Sequence, residues 1–163
     1  MKKSVIVMLL GLSFLTGCIT PPTVPMMDDA LAKKAKMFKA PSHDKAGIYV
    51  YRISQFAGSA LTKSVWIDKK CIGDTASGVF FYHEVDGNKK HTISTQSEFS
   101  PNQLTIDTKG GKLYFVEQFI KMGVFVGGAD VELRDPTIGK QEVMKLNMAK
   151  IGNCSATLEN DGK

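Results

Sequence analysis

The sequence predicts a mainly β domain, an antiparallel β-sandwich or small barrel of about seven or eight strands. Short runs rich in β-branched and aromatic residues recur every 8–12 residues or so from Gly47 onward. Between them stand turn sequences, most clearly Asp86-Gly87-Asn88-Lys89 and Lys109-Gly110-Gly111-Lys112. Strands do not alternate with long helical segments, so a parallel sheet with a cofactor site at its switch point is not expected.

The first segment is a leader. Lys2 and Lys3 precede an apolar run, Val5 to Leu15, of about eleven residues, too short to span a bilayer. Leu15-Thr16-Gly17-Cys18 follows and resembles the lipobox of bacterial lipoproteins. That resemblance implies cleavage before Cys18, removal of residues 1–17 and acylation of the Cys18 thiol. Several acyl chains hold a protein on a bilayer stably where one does so only marginally. Ordinary signal cleavage would need an A-x-A-like site, and a retained helix would be stopped by Thr20-Pro21-Pro22. Ile19, in place of an aspartate, resembles the sorting pattern of outer-membrane lipoproteins and implies an anchor there, facing the periplasm.

Removing 17 of the 163 residues leaves 146, enough for one domain and a tether. The formal charge falls from +5 to +3 because the leader holds two lysines and no acid. Basic residues are spread along the chain, so nucleic acid is not expected as a partner. Beyond Cys18 the cysteines are Cys71 and Cys154. In an oxidising compartment they form a candidate disulfide, and two separate buried thiols are the alternative that sequence leaves open.

Residues 18–46 read as a lipidated tether. Its Pro-rich stretch, 19–26, should be extended, and Asp28 to Lys39 should form a short helix with aspartates at its start and lysines at its end. Met27, Leu31, Ala35 and Phe38 share one face, and docking on the chain's own domain is the expectation. Fully extended, the spacer would reach about 90 Å. The β-rich domain spans 47–153. Its strands are expected at Ile48–Ile53, Val65–Asp68, Cys71–Gly73, Val79–Val85, Lys90–Gln96, Leu104–Asp107, Leu113–Ile120 and Ala129–Arg134, with hairpins at the two turns named above. After Asp135-Pro136 a short helix is expected, although Met144, Leu146 and Met148 also alternate as a strand would. Residues 154–163 form a polar tail expected to fray from Ser155.

Several separated motifs stand in a consistent order: Gly47-Ile48-Tyr49-Val50-Tyr51-Arg52, Val65-Trp66-Ile67-Asp68, Ile72-Gly73, Phe81-Tyr82, His91-Thr92-Ile93, Lys121-Met122-Gly123 and Val131-Glu132-Leu133. Over about residues 30–150 the chain resembles the bacterial lipoprotein family catalogued as domain of unknown function 2846. The resemblance implies a small β-rich envelope domain and transfers no functional residues. The Asp86-Gly87-Asn88-Lys89-Lys90 turn departs from it, since the family more often shows a Pro-Gly turn there.

Chemistry-bearing residues are sparse. A two-residue turn at Gly87-Asn88 would set Glu84 opposite His91, which makes them candidates for a metal site or acid–base pair, against a plain cross-strand salt bridge. Gly58-Ser59-Ala60 and Ala76-Ser77-Gly78 do not form a nucleophile elbow, and Gly127-Gly128 lacks the lysine of a phosphate loop. The sequence therefore points to a lipid-anchored envelope protein with a non-enzymatic domain, no cofactor and an envelope protein as partner. Binding of peptidoglycan, a glycan or a small ligand is the alternative.

Overall fold

The computed structural model describes residues 23–158. The leader, the Leu15-Thr16-Gly17-Cys18 motif and the last residues of the tail lie outside the described residues. The elements are α1 (Asp29–Ala35), β1 (Lys45–Arg52), β2 (Lys63–Ile67), β3 (Lys70–Thr75), β4 (Val79–Asp86), β5 (Lys90–Thr95), β6 (Asn102–Asp107), β7 (Leu113–Lys121), β8 (Gly128–Arg134), α2 (Pro136–Val143) and β9 (Asn147–Met148). A five-stranded sheet, β8-β7-β1-β4-β9, packs on a four-stranded sheet, β3-β2-β5-β6. The chain is thus a mainly β sandwich, as expected, and not a closed barrel. Two of its strand pairs, β1 with β7 and β4 with β9, run parallel.

The period of the side chains explains the layering. Ile48 and Val50 of β1, Phe81 of β4 and Val116 of β7 face Val65, Ile72, Ile93 and Ile106 of the second sheet. Tyr49, Tyr51, Phe80 and Phe115 point the other way, under Ala35 of α1 and Val143 of α2. A central strand covered on both faces reads as a continuous apolar run, which is why β1 shows no alternation. Helix α2 is tied down by a polar contact as well, the Tyr51 hydroxyl donating to Glu142, while Arg134 of β8 pairs with Glu117 of β7 at 3.2 Å.

Both expected hairpins are corrected. Strand β4 lies between β1 and β9, and β5 lies between β2 and β6, so neither has a free edge for the other. The Asp86–Lys89 turn is a corner between sheets. Asn88 takes the positive φ that such a turn requires, 59°, but the Gly87 amide donates to the Asp44 carbonyl at 2.6 Å. A Cβ on Gly87 would lie 2.6 Å from Gly110 Cα, so only glycine allows this crossing. The Lys109–Lys112 turn likewise passes from β6 in one sheet to β7 in the other.

Helix α1 begins where the sequence placed it: Asp28 caps it, accepting from the Leu31 amide at 2.9 Å. Tyr49 Oη donates to the Ala35 carbonyl at 2.7 Å, closing the far end. Docking starts earlier still. Val24 is buried in the inter-sheet core, Met26 bridges Ala149, and the Met27 amide donates to the Met148 carbonyl at 2.9 Å. The stretch from Val24 is therefore bound to the sheet edge. The described part of the expected tether is thus docked on the domain and does not contribute to the reach of about 90 Å expected of it when fully extended.

The segment after Asp135 uses both expected patterns in turn. Asp135 caps α2, accepting from the Thr137 amide at 2.8 Å, with Pro136 at the first position; two residues further on then pair as β9. The tail crosses β3 and β2 instead of fraying at Ser155. The Ser155 amide donates to Asp74 and the Ala156 amide to Ser64 Oγ, each at 3.1 Å. Cys154 is bonded to Cys71, with their Cα atoms 6.0 Å apart.

Candidate functional site

Exposed apolar side chains concentrate at one end of the sandwich, on the loops 53–62, 96–101 and 122–127. Phe56 is 97% exposed, Met122 98% and Phe125 84%, with Val124, Val126 and Phe99 also more than half exposed. Scattered exposed hydrophobic residues are ordinary, whereas a contiguous group of them marks a contact surface. Shallow clefts of about 390 and 320 Å³ flank Met122, the first shared with Phe99 and Val124, the second with Phe125, Val126 and Leu61.

Two buried or bonded charges hold these loops in place. At the end of β1, Arg52 is buried, and its guanidinium donates to the Leu61 carbonyl at 2.7 Å and to the Gly58 carbonyl. Burial lowers this group to about 10, so it stays charged at neutral pH. Across the end, the Glu98 carboxylate accepts from the amides of Val124 at 2.6 Å, Phe125 and Val126 at 3.1 Å. Desolvation would raise the Glu98 carboxyl, but those three donors and nearby Lys63 outweigh it and hold the group below its ordinary value. Gly123 makes the tight turn this arrangement needs, since a Cβ there would sit 1.7 Å from the Val126 carbonyl oxygen. The backbone of 124–126 is thus turned inward onto a carboxylate, and its apolar side chains are left facing out.

Replacing Glu98 with alanine should speed amide hydrogen exchange at Val124, Phe125 and Val126 while leaving exchange in β7 unchanged. Because the folded carboxyl titrates below its ordinary 4.5, the clamp is complete above that pH and is lost as pH falls through the lowered value. Exchange rates at these three amides that ignore both the substitution and acidification would refute the clamp.

The residues singled out from the sequence sit elsewhere. Glu84 and His91 are not opposite one another, because their strands belong to different sheets: Glu84 is paired across to Gly47, and His91 to Ile106. Glu84 accepts from the Tyr82 hydroxyl at 2.7 Å. His91 has Nδ1 against Asp68 at 2.5 Å and Nε2 against the Asp86 carbonyl at 2.8 Å, so neither ring nitrogen is open to a ligand. Among the described residues no three His, Cys, Asp or Glu side chains gather as metal ligands would. The strand aromatics form the core beneath α1 and α2, with Tyr49 and Phe115 stacked at 4.9 Å. A cleft of about 340 Å³ remains beside α1, lined by Leu31, Lys34, Lys39, Tyr49, Tyr82 and Glu84 among others. No helix among the described residues is long and apolar enough to cross a membrane.

A family profile described as "Protein of unknown function (DUF2846)" matches residues 42–129. The chain belongs to the DUF2846 family. It is also 47% identical over 127 residues to an uncharacterised protein of Haemophilus influenzae (strain ATCC 51907 / DSM 11121 / KW20 / Rd), covering 78% of this chain and 74% of that one. In this DUF2846 protein the matched stretch contains all three loops of the apolar end and leaves out α1, α2 and the tail. The apolar end is not among the candidates the sequence offers. Its signal is the run Val124-Phe125-Val126 set between Gly123 and Gly127, apolar residues bracketed by glycines just past a strand.

Proposed function

We propose that this chain is a lipid-anchored protein of the bacterial envelope, held in the outer membrane through acylated Cys18 and facing the periplasm. Its β-domain acts without enzymatic chemistry, by docking a partner protein at the apolar end. The observation that carries the docking role is the Glu98 clamp, which holds Val124, Phe125 and Val126 outward. A loop left to collapse would bury such side chains, and a carboxylate bonded to three consecutive amides prevents it. The anchor is supported by the Leu15-Thr16-Gly17-Cys18 motif after a short apolar leader.

A photo-crosslinking amino acid placed at Phe125 in intact cells should give a discrete protein adduct, absent when the same group stands at Lys109. Adducts at neither position, or identical ones at both, would refute the docking surface. An unmodified residue 18 by mass spectrometry would refute the anchor. A second reading, binding of a glycan or small ligand, is favoured by the cleft beside α1 with Tyr49 and Tyr82 in its wall. Failure of the protein to co-sediment with purified cell-wall sacculi would remove its peptidoglycan form.

A further inference from the structure

The end opposite the apolar loops is built from lysines. Turns 68–69, 87–89 and 108–112 meet there: the Thr108 amide donates to the Lys89 carbonyl at 2.9 Å, and the Gly110 amide to Asn88 Oδ1 at 3.3 Å. Lys69, Lys70, Lys89, Lys90, Lys109 and Lys112 are all exposed on or beside these turns. Among the described residues Lys89 is ion-paired, with Asp86, and the other five make no ion pair. With Lys45 included, seven lysines stand against five acids, Asp44, Asp68, Glu84, Asp86 and Asp107, an excess of two. The apolar end shows no comparable excess: Arg52 and Lys63 are buried, and Lys121 is paired with Asp130 at 3.0 Å.

The path of the amino-terminal segment selects which end lies near the anchor. Residues Asn147–Met148 run parallel to the start of β4, opposite Val79 and Phe80. Met26 pairs antiparallel with Ala149, and the Lys150 amide donates to the Pro25 carbonyl at 2.8 Å. Traced backward from Met27 to Val24, the chain therefore heads along β4 toward Asp86, the lysine end. From Val24 the six residues back to Cys18 span at most about 20 Å, less than the roughly 26 Å length of an eight-residue strand such as β1.

We infer that the lysine end rests on an anionic phospholipid leaflet, so that the apolar end is displayed away from the membrane carrying the anchor. This rests on the proposed acylation of Cys18 and adds to it an orientation and a second point of membrane contact. Each lysine near an anionic surface favours contact by about fivefold, and the attraction acts only within a Debye length of roughly 10 Å. A short tether keeps the turns inside that range.

The test uses the full lipidated protein reconstituted in vesicles, with one added cysteine carrying a fluorophore, Lys109→Cys or Phe125→Cys. In vesicles of phosphatidylethanolamine and phosphatidylglycerol a headgroup-bound quencher should quench the label at 109. Aqueous iodide should quench the label at 125. The contrast should fade in phosphatidylcholine vesicles, in high salt, and in a Lys70→Gln/Lys90→Gln/Lys112→Gln variant, whose exposed side chains leave the fold intact. Protein that floats with vesicles but shows headgroup quenching at 125, equal quenching at both sites, or no dependence on lipid charge overturns the orientation alone. Protein that does not float overturns the anchor and the orientation with it.

Discussion

Replacing Cys71 with serine should lower the unfolding free energy by about 4.5 kcal/mol, the chain-entropy value for a loop of this size. The bond joins residues separated by 83 positions, and the loop it closes holds every strand from β3 to β9. An unfolded chain carrying such a ring is far less free than an open one, so most of the effect lies in the unfolded state. The folded state changes locally. Without the bond the described tail is left with contacts to Ile72, Asp74 and Ser64, and Cys154 with the Val65 carbonyl at 3.6 Å. Trp66, the single tryptophan, is 3% exposed and paired across from Cys71, so its emission reports both events. Guanidinium unfolding followed by that emission should show the same midpoint loss for Cys71→Ser, Cys154→Ser, the double variant and the reduced wild type. A midpoint indifferent to reductant, or a double variant worse than either single one, would contradict a structural Cys71–Cys154 bond.

Phe115→Ala should cost about 3–5 kcal/mol, the range for deleting a large buried aromatic side chain. Phe115 is fully buried, stacks on Tyr49 and meets the edge of Phe38 at 5.8 Å. It also lies directly under α2, where a Cβ on Gly139 would be 2.3 Å from Phe115 Cβ. The ring fills the space between the sheet and both helices, so its loss leaves a void that neither helix can close alone. The consequence extends beyond stability. With α1 loosened, Asp28 to Phe38 loses its hold on the aromatic layer, while Val24, packed between the sheets, keeps its own contacts. Amide exchange in α1 and α2 should rise together in this variant, while Phe99→Ala, at the exposed end, should change stability by no more than about 0.5 kcal/mol. A Phe115→Ala protein with under 1 kcal/mol of loss and unchanged exchange in α1 would show that the aromatic layer does not hold the helices.

How much of this was legible in the sequence depends on whether the signal is local. Runs such as Ile48–Ile53 and Leu113–Ile120 announce strands because their residue types suit a pleated, covered surface, and they match β1 and β7 closely. The starts of both helices were equally readable, from the aspartates at 28 and 29 and from Asp135-Pro136, because each is set by a side chain acting within two or three residues. Pairing was not. Asp86-Gly87-Asn88-Lys89 carries the chemistry of a tight turn, and the chain does turn there, but turn chemistry does not say whether the flanking strands stay in one sheet. Their other neighbours decide that, and β1, β2 and β9 lie far away in sequence. The same limit hid the apolar end. Arg52 and Glu98 look like ordinary strand-end charges until the backbone groups they hold, as many as 28 residues distant, are brought to them. Cys18 is the reverse case, a strong local motif whose setting lies outside the described residues.

The parallel pairing of β1 with β7 governs how the molecule can be made. Val50 has Phe81 on one side and Val116 on the other, so the first strand waits through most of synthesis for its second neighbour. A ribbon delivered amino-terminus first cannot complete that layer until Lys121 has emerged, and such distant closures are slow to form. Premature compaction of the five-stranded layer is thereby discouraged until its distant partner strand is available.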